Sequence, residues 1–164
     1  MTIGLNPQAL IKTLAGWINQ QRNPYKPSVD ASNASSNTNS PHIHKVAVPS
    51  SQHTAWAEFQ WSSPNVVELT CVHQLYALSA LPESFQLDEE MHQFNRLMEN
   101  TQLPVWLWAN AHSDQLELRW QERLVHPFQL SCIERVFSHS VMMANALCTR
   151  YCEKLPRPAN QALH

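Results

Sequence analysis

The feature that most restricts the fold of this chain is a predicted hairpin between Leu103 and Trp120, LPVWLWANAHSDQLELRW. Its second strand alternates, with three apolar residues on one face: Leu116, Leu118 and Trp120. Its first strand is apolar on both faces: Val105, Leu107 and Ala109 lie on one, Trp106 and Trp108 on the other. A strand that is apolar on both faces needs cover on both. We therefore expect either another segment of this chain or a second chain to cover the two tryptophans.

Apolar periodicity predicts the other elements. A period near 3.6 predicts helices over Asn6–Gln21, over Leu87–Glu99, and from about Cys132 to Leu155, the last with a Ser131–Glu134 capping box. Alternation predicts short strands in the segments KVAV and AWAEFQWS, which begin at residues 45 and 55. The segment 66–81 is open to both interpretations, and its β-branched and aromatic residues favour a long strand. The predicted fold class is α+β, an antiparallel sheet of about five strands with helices packed on it, in the order α-β-β-β-α-β-β-α.

The composition changes sharply along the chain and predicts its organisation. Residues 1–23 form the N-terminal helix, and residues 24–44 form a flexible linker because they are rich in serine and asparagine. Residues 45–155 form the α+β domain, and residues 156–164 form a disordered tail.

The overall composition argues against several classes of function. A net charge of −2 with scattered basic residues is atypical of a nucleic-acid-binding protein. No apolar run approaches the roughly 20 residues that cross a bilayer. Two glycines in 164 residues are too few for a glycine-rich phosphate loop. The first residues, MTIGLNPQAL, lack the features of a signal peptide, so we expect a cytoplasmic protein with free thiols.

The sequence predicts no catalytic, metal or cofactor site. Nine histidines are present, but no Cys-x-x-Cys or His-Glu-x-x-His spacing accompanies them. Cys71 and His73 are expected on opposite faces of a strand, and Cys132 and His139 lie about two helical turns apart, so neither pair favours cysteine–histidine catalysis. The acidic run 88–90 begins a helix, where the helix dipole explains it.

The order of elements between Ala55 and Leu155 resembles a known family. A strand runs into the Leu81-Pro82 step, and a short helix containing Asn95-Arg96-Leu97 follows. A two-stranded hairpin and a long amphipathic helix complete the pattern. This arrangement resembles the type III secretion chaperone-like superfamily, which includes the specialised secretion chaperones and the YbjN-type proteins.

The resemblance implies a non-enzymatic homodimer that holds an extended protein segment, its dimer formed by the middle helix and a neighbouring strand. The apolar surface of the predicted helix and strand supports the same interface, and we expect its residues to be Met91, Phe94, Leu97, Met98, Val105, Trp106 and Trp108. The leading hypothesis is a chaperone of a secreted or partner protein. The alternatives are a YbjN-like regulatory protein and a small metal-dependent hydrolase that uses the histidines.

Overall fold

The computed structural model describes residues 2–3, 43–48, 50, 52–63, 65–125 and 127–155. Five strands form one antiparallel sheet in the order β2-β3-β4-β6-β5. Two-residue strands pair separately, β1 with β7. The strands are β1 (Thr2–Ile3), β2 (Ile43–Ala47), β3 (Ala55–Ser63), β4 (Val66–Ala77), β5 (Val105–Asn110), β6 (Gln115–Val125) and β7 (Phe128–Gln129).

The described residues contain two α-helices, α1 (Leu87–Asn100) and α2 (Leu130–Lys154). Helix α2 lies across one face of the sheet and contacts β4 and β6, whereas α1 lies beside the edge strand β5. The buried side of α2 follows the predicted apolar stripe, with one polar addition, Ser140: Ile133, Val136, Phe137, Ala144, Leu147, Cys148 and Tyr151. The hydrophobic core therefore lies between α2 and one face of the sheet.

The strand register assigns each residue to a face. Leu118 of β6 is opposite His73 of β4 and Leu107 of β5, and all three side chains are buried on the α2 side. Leu116 and Trp120 share this face, so the alternation of β6 correctly predicted its buried side. Trp106 and Trp108 lie on the opposite face of the sheet.

The predicted fold class is confirmed, and so is the element order from β2 onward, β-β-β-α-β-β-α. The ambiguous segment is a strand as favoured, ending in a short 3₁₀ turn at Leu78–Ala80. The predicted N-terminal helix, most of the linker and the tail lie outside the described residues. Strand β2 begins at Ile43, two residues before the predicted domain boundary.

Two local predictions on α2 are wrong. The helix begins at Leu130 after an extended Gln129 that makes no side-chain cap, so Ser131 lies inside the first turn and the capping box does not form. The one-turn spacing of Cys148 and Cys152 on the apolar side of the predicted helix favours burial of both thiols; Cys148 is buried, but Cys152 is exposed. None of the described helices is long and apolar enough to cross a membrane.

Candidate protein-binding surface

Asn95 joins helix α1 to the edge of the sheet. Its side-chain Oδ1 accepts a hydrogen bond from the Leu107 N–H at 2.7 Å, and its Nδ2 donates to the Leu107 carbonyl at 3.2 Å. These are the outward-facing backbone groups of an edge strand, which a further strand would otherwise pair. One amide side chain therefore fixes α1 against β5 and closes the edge at that point.

The predicted interface residues of α1 lie at different depths. Met98 is only 7% exposed, and it belongs to the core of its own chain together with Val105 of β5. Met91 and Phe94 are partly buried and pack against that core. Leu97 is 55% exposed and faces outward. A partner at this edge would therefore contact Leu97 directly. The other four residues would lie beneath that surface and support it: Met91, Phe94, Met98 and Val105.

Trp106 and Trp108 point away from the core that lies beneath α2. Trp106 is opposite Arg119 of β6, Trp108 is opposite Glu117, and α2 covers the other face. Trp108 is 51% exposed, and Trp106 is partly buried. The second apolar face that the sequence predicts for β5 is therefore an outer surface of the residues that the structure describes.

A buried carboxylate supports these tryptophans. Glu117 is fully buried, and its Oε2 accepts hydrogen bonds from Arg119 Nε at 3.1 Å and Nη2 at 2.8 Å. Its Oε1 accepts hydrogen bonds from Asn110 Nδ2 and Ser113 Oγ, each at 3.1 Å. Charged donors that bind one carboxylate twice give a strong and directional interaction. The guanidinium of Arg119, held in this way, lies over the Trp108 ring at 5.9 Å from its centroid.

The apolar surface extends across the sheet from these residues. At one register position Trp56 of β3 is opposite Val72 of β4, Val72 is opposite Arg119, and Arg119 is opposite Trp106. Val72 is fully buried although it lies on the face away from α2, because large side chains flank it on both sides. Together with Trp108 these residues form what we call the aromatic band: Trp56, Val72, Trp106, Trp108 and Arg119.

The far end of the aromatic band is also held by polar contacts. The indole Nε1 of Trp56 donates to Glu58 Oε1 at 2.9 Å, and Lys45 Nζ lies 5.5 Å from the centre of the same ring. Lys45 also pairs with Glu58 at 3.5 Å. The band is therefore bounded at both ends by a tryptophan, a basic group and a carboxylate.

Sequence reasoning was wrong about Cys71 and His73. Residues two apart on a strand share a face, and both side chains are fully buried beneath α2. Burial raises the pKa of the Cys71 thiol to about 12, with a hydrogen bond to Ser140 opposing the rise and Glu122 adding to it. The thiol is therefore protonated at physiological pH and is a poor nucleophile.

His73 belongs to a chain of hydrogen bonds that the sequence analysis missed. Its Nδ1 lies 2.7 Å from His53 Nε2, and its Nε2 lies 2.9 Å from Ser140 Oγ. His53 Nδ1 in turn lies 3.1 Å from Ser50 Oγ. One signal was present in the sequence, because the alternation that buries Cys71 also places His73 toward the core. Among the described residues no three histidine, cysteine or acidic side chains are grouped so that they could hold a metal ion.

Comparisons with known proteins give one informative match. No protein-family model and no curated protein sequence matches this chain. The fold is similar to that in the crystal structure of the ExsC–ExsE complex, with a TM-score of 0.57 and 12% sequence identity over 94% of this chain and 99% of that chain. At this identity the likeness concerns the fold alone. The chain has a type III secretion chaperone-like fold, so the resemblance seen in the sequence is confirmed at that level.

Proposed function

We propose that this chain, built on a type III secretion chaperone-like fold, is a non-catalytic cytoplasmic module that binds a segment of another protein, a secreted or regulatory partner. The observation that carries the proposal is the aromatic band, where an exposed tryptophan lies on a framework held by the ion pair between Arg119 and the buried Glu117 carboxylate. Tryptophan and arginine are enriched among the residues that dominate protein–protein binding. A rigid surface also loses little conformational entropy when a partner binds.

A homodimer is the second part of the proposal. Leu97 of α1 and Trp108 of β5 are both large, apolar and about half exposed, and Asn95 holds their two elements together. In a two-fold dimer the same edge of each protomer would meet its copy. Met91, Phe94, Met98, Val105 and Trp106 would then act as the partly or fully buried support of that interface.

The solved structure with a similar fold contains two proteins, ExsC and ExsE, in complex. By analogy we propose a protein as the partner of this chain rather than a small molecule or nucleic acid. The scattered basic residues and the net charge of −2 also argue against a nucleic-acid partner. A YbjN-like regulator would use the same fold, and the identity of its partner would distinguish it from a secretion chaperone.

The test is direct binding to candidate partners. The N-terminal segments of proteins encoded beside this chain would be titrated into purified protein by isothermal calorimetry. We expect at least one segment to bind, and the Trp106→Ser/Trp108→Ser double variant to weaken that binding at least tenfold. Met142→Ser is the matched control, because Met142 is 67% exposed on the outer side of α2. Equal binding by both variants would contradict the assignment of the surface.

A further inference from the structure

A continuous line of hydrogen bonds enters the core from the connection between β2 and β3. It runs from Ser50 to His53, from His53 to His73, and from His73 to Ser140, whose hydroxyl bonds to the Phe137 carbonyl at 3.1 Å. The line thereby joins three parts of the chain, namely the β2–β3 connection, strand β4 and helix α2. We call these four side chains the histidine relay: Ser50, His53, His73 and Ser140.

When both histidines are neutral, the hydrogen bonds of the relay all run in one direction, from the Ser50 hydroxyl toward the Phe137 carbonyl. Ser140 donates to a carbonyl, so it accepts from His73 Nε2–H, which leaves His73 Nδ1 without a proton. His73 Nδ1 then accepts from His53 Nε2–H, and His53 Nδ1 accepts from the Ser50 hydroxyl. With both histidines uncharged, each ring nitrogen has a partner.

Protons affect the two rings differently. His53 can take a proton on Nδ1, because the Ser50 hydroxyl can turn and accept. While His53 keeps its Nε2 proton, a further proton on His73 Nδ1 would set two N–H groups facing each other across 2.7 Å. The second proton therefore requires the rings to separate.

The groups around His73 offer its charged form little support. Its register partners on either side, Ala55 and Leu118, are apolar. On its own strand the nearest titratable group facing the same way is the buried Cys71 thiol, which stays neutral. The Glu122 carboxylate of β6 accepts a hydrogen bond from the Trp120 indole N–H at 3.1 Å. On α2, the exposed His139 lies beside Trp120. Burial, and then the charge of His53, lower the pKa of His73 to about 3, and burial lowers the pKa of His53.

We propose that the His53–His73 contact is a proton-sensitive latch that holds the β2–β3 connection against the core at neutral pH and releases it in acid. In the open form the two imidazole rings are separated and hydrated, and each takes up a proton near pH 6.5. In the closed form the pair of rings holds one proton at most. For every proton that the open form binds in excess of the closed form, each pH unit below 6.5 therefore raises the ratio of open to closed protein about tenfold.

Hydrogen exchange followed by NMR tests the latch on the full chain. The Gln74 amide is bonded to the Thr54 carbonyl at 2.9 Å, next to His53, so it reports opening. The Leu107 amide, bonded to Asn95, reports the far edge of the sheet. Between pH 7 and pH 4.5 we expect the protection factor of Gln74 to fall at least tenfold, and that of Leu107 to change by less than threefold. Imidazole nitrogen shifts should show His73 neutral and protonated on Nε2 at pH 7.

His53→Gln is the decisive variant. A glutamine amide can donate to neutral His73 or turn and accept from charged His73, and it removes the proton that His53 binds in the open form. Gln74 should therefore lose much less protection in acid than in the unaltered protein. His112→Gln, at an exposed site in the β5–β6 turn, should behave as the unaltered protein. The proposal is overturned if Gln74 and Leu107 lose protection together, if His53→Gln loses it as the unaltered protein does, or if His73 titrates near 6.5.

Discussion

Arg119 links the buried Glu117 carboxylate to the exposed Trp108 ring, so replacing Arg119 should affect both groups. Replacing it in Arg119→Met keeps the aliphatic stem and removes the two charged hydrogen bonds to Glu117. Removing one member of a buried ion pair costs about 3 to 5 kcal/mol in the free energy of unfolding, and water that reaches Arg119 reduces that figure. Urea denaturation measures the change.

Arg123 provides the matched control for this change. It lies on the same strand and face as Arg119 but is exposed, so Arg123→Met should alter the free energy of unfolding by less than about 0.5 kcal/mol. Equal stabilities for the two variants would mean that Asn110 and Ser113 alone satisfy Glu117.

The tryptophans of the hairpin should separate into two classes. Trp106→Ser/Trp108→Ser removes side chains that point away from α2, so the double variant should remain folded with a similar melting temperature. Trp120→Ser removes a side chain that is 5% exposed, and it should cost about 3 to 5 kcal/mol. Thermal melts followed by circular dichroism compare the two. A double variant as unstable as Trp120→Ser would mean that the aromatic band contributes to stability like a core.

The sequence placed the side chains of β6 correctly but not the environment of its polar residues. Alternation with buried leucines favours a solvent-exposed position for Glu117, yet its side chain is fully buried under Arg119, Asn110 and Ser113. His73 was missed for a related reason. Alternation identifies the residues that share a face, but the partners of a buried polar group come from other elements and are set by tertiary structure.

At the scale of elements, Asn95 acts in place of a strand partner for β5. Asn95→Ala leaves the Leu107 N–H and carbonyl without their partner, which should lower the free energy of unfolding by about 1 to 3 kcal/mol. Asn95→Asp keeps the acceptor for the Leu107 N–H but sets a carboxylate oxygen against the Leu107 carbonyl, so it should also lower the stability at neutral pH. Urea denaturation of both variants orders them.

Asn100 is the control for Asn95, because it is exposed at the end of the same helix. Asn100→Ala should change stability by less than about 0.5 kcal/mol. The Asn95→Ala variant should also scatter more light on standing, because an unpaired edge strand is a template for aggregation. A fully stable and soluble Asn95→Ala protein would show that packing alone holds α1 against β5.

Long periodic elements were predicted well, and their junctions were not. The apolar stripe of α2 was identified over seven buried positions because a 25-residue amphipathic helix repeats its signal many times. Its start was placed too late, because β7 passes directly into the helix at Leu130 and Gln129 makes no side-chain cap. The pairing of β1 with β7 joins residues more than a hundred positions apart, and two-residue strands carry no period.

At the scale of the whole molecule, the five-stranded sheet separates two groups of residues. One face carries the core, α2 and the histidine relay, and the other carries the aromatic band. The band contains residues from β3, β4, β5 and β6, and it depends on the strand order β3-β4-β6-β5, which periodicity does not reveal. The sequence therefore identified the β5 end of the surface, through Trp106 and Trp108, but not its extension to Trp56.

Self-association tests the whole-molecule proposal of a dimer. Light scattering at tens of micromolar, on the order of typical assay concentrations, should give twice the chain mass of 18.8 kDa, and dilution should lower it. Leu97→Glu places a charge at the centre of the proposed two-fold edge, so its like charges would meet and the protein should be monomeric. Met142→Glu adds the same charge at a more exposed apolar site on α2 and should remain dimeric. A monomeric unaltered protein would contradict the proposal of a dimer. Loss of the dimer in Met142→Glu alone would indicate that α2, and not the β5 edge, forms the interface.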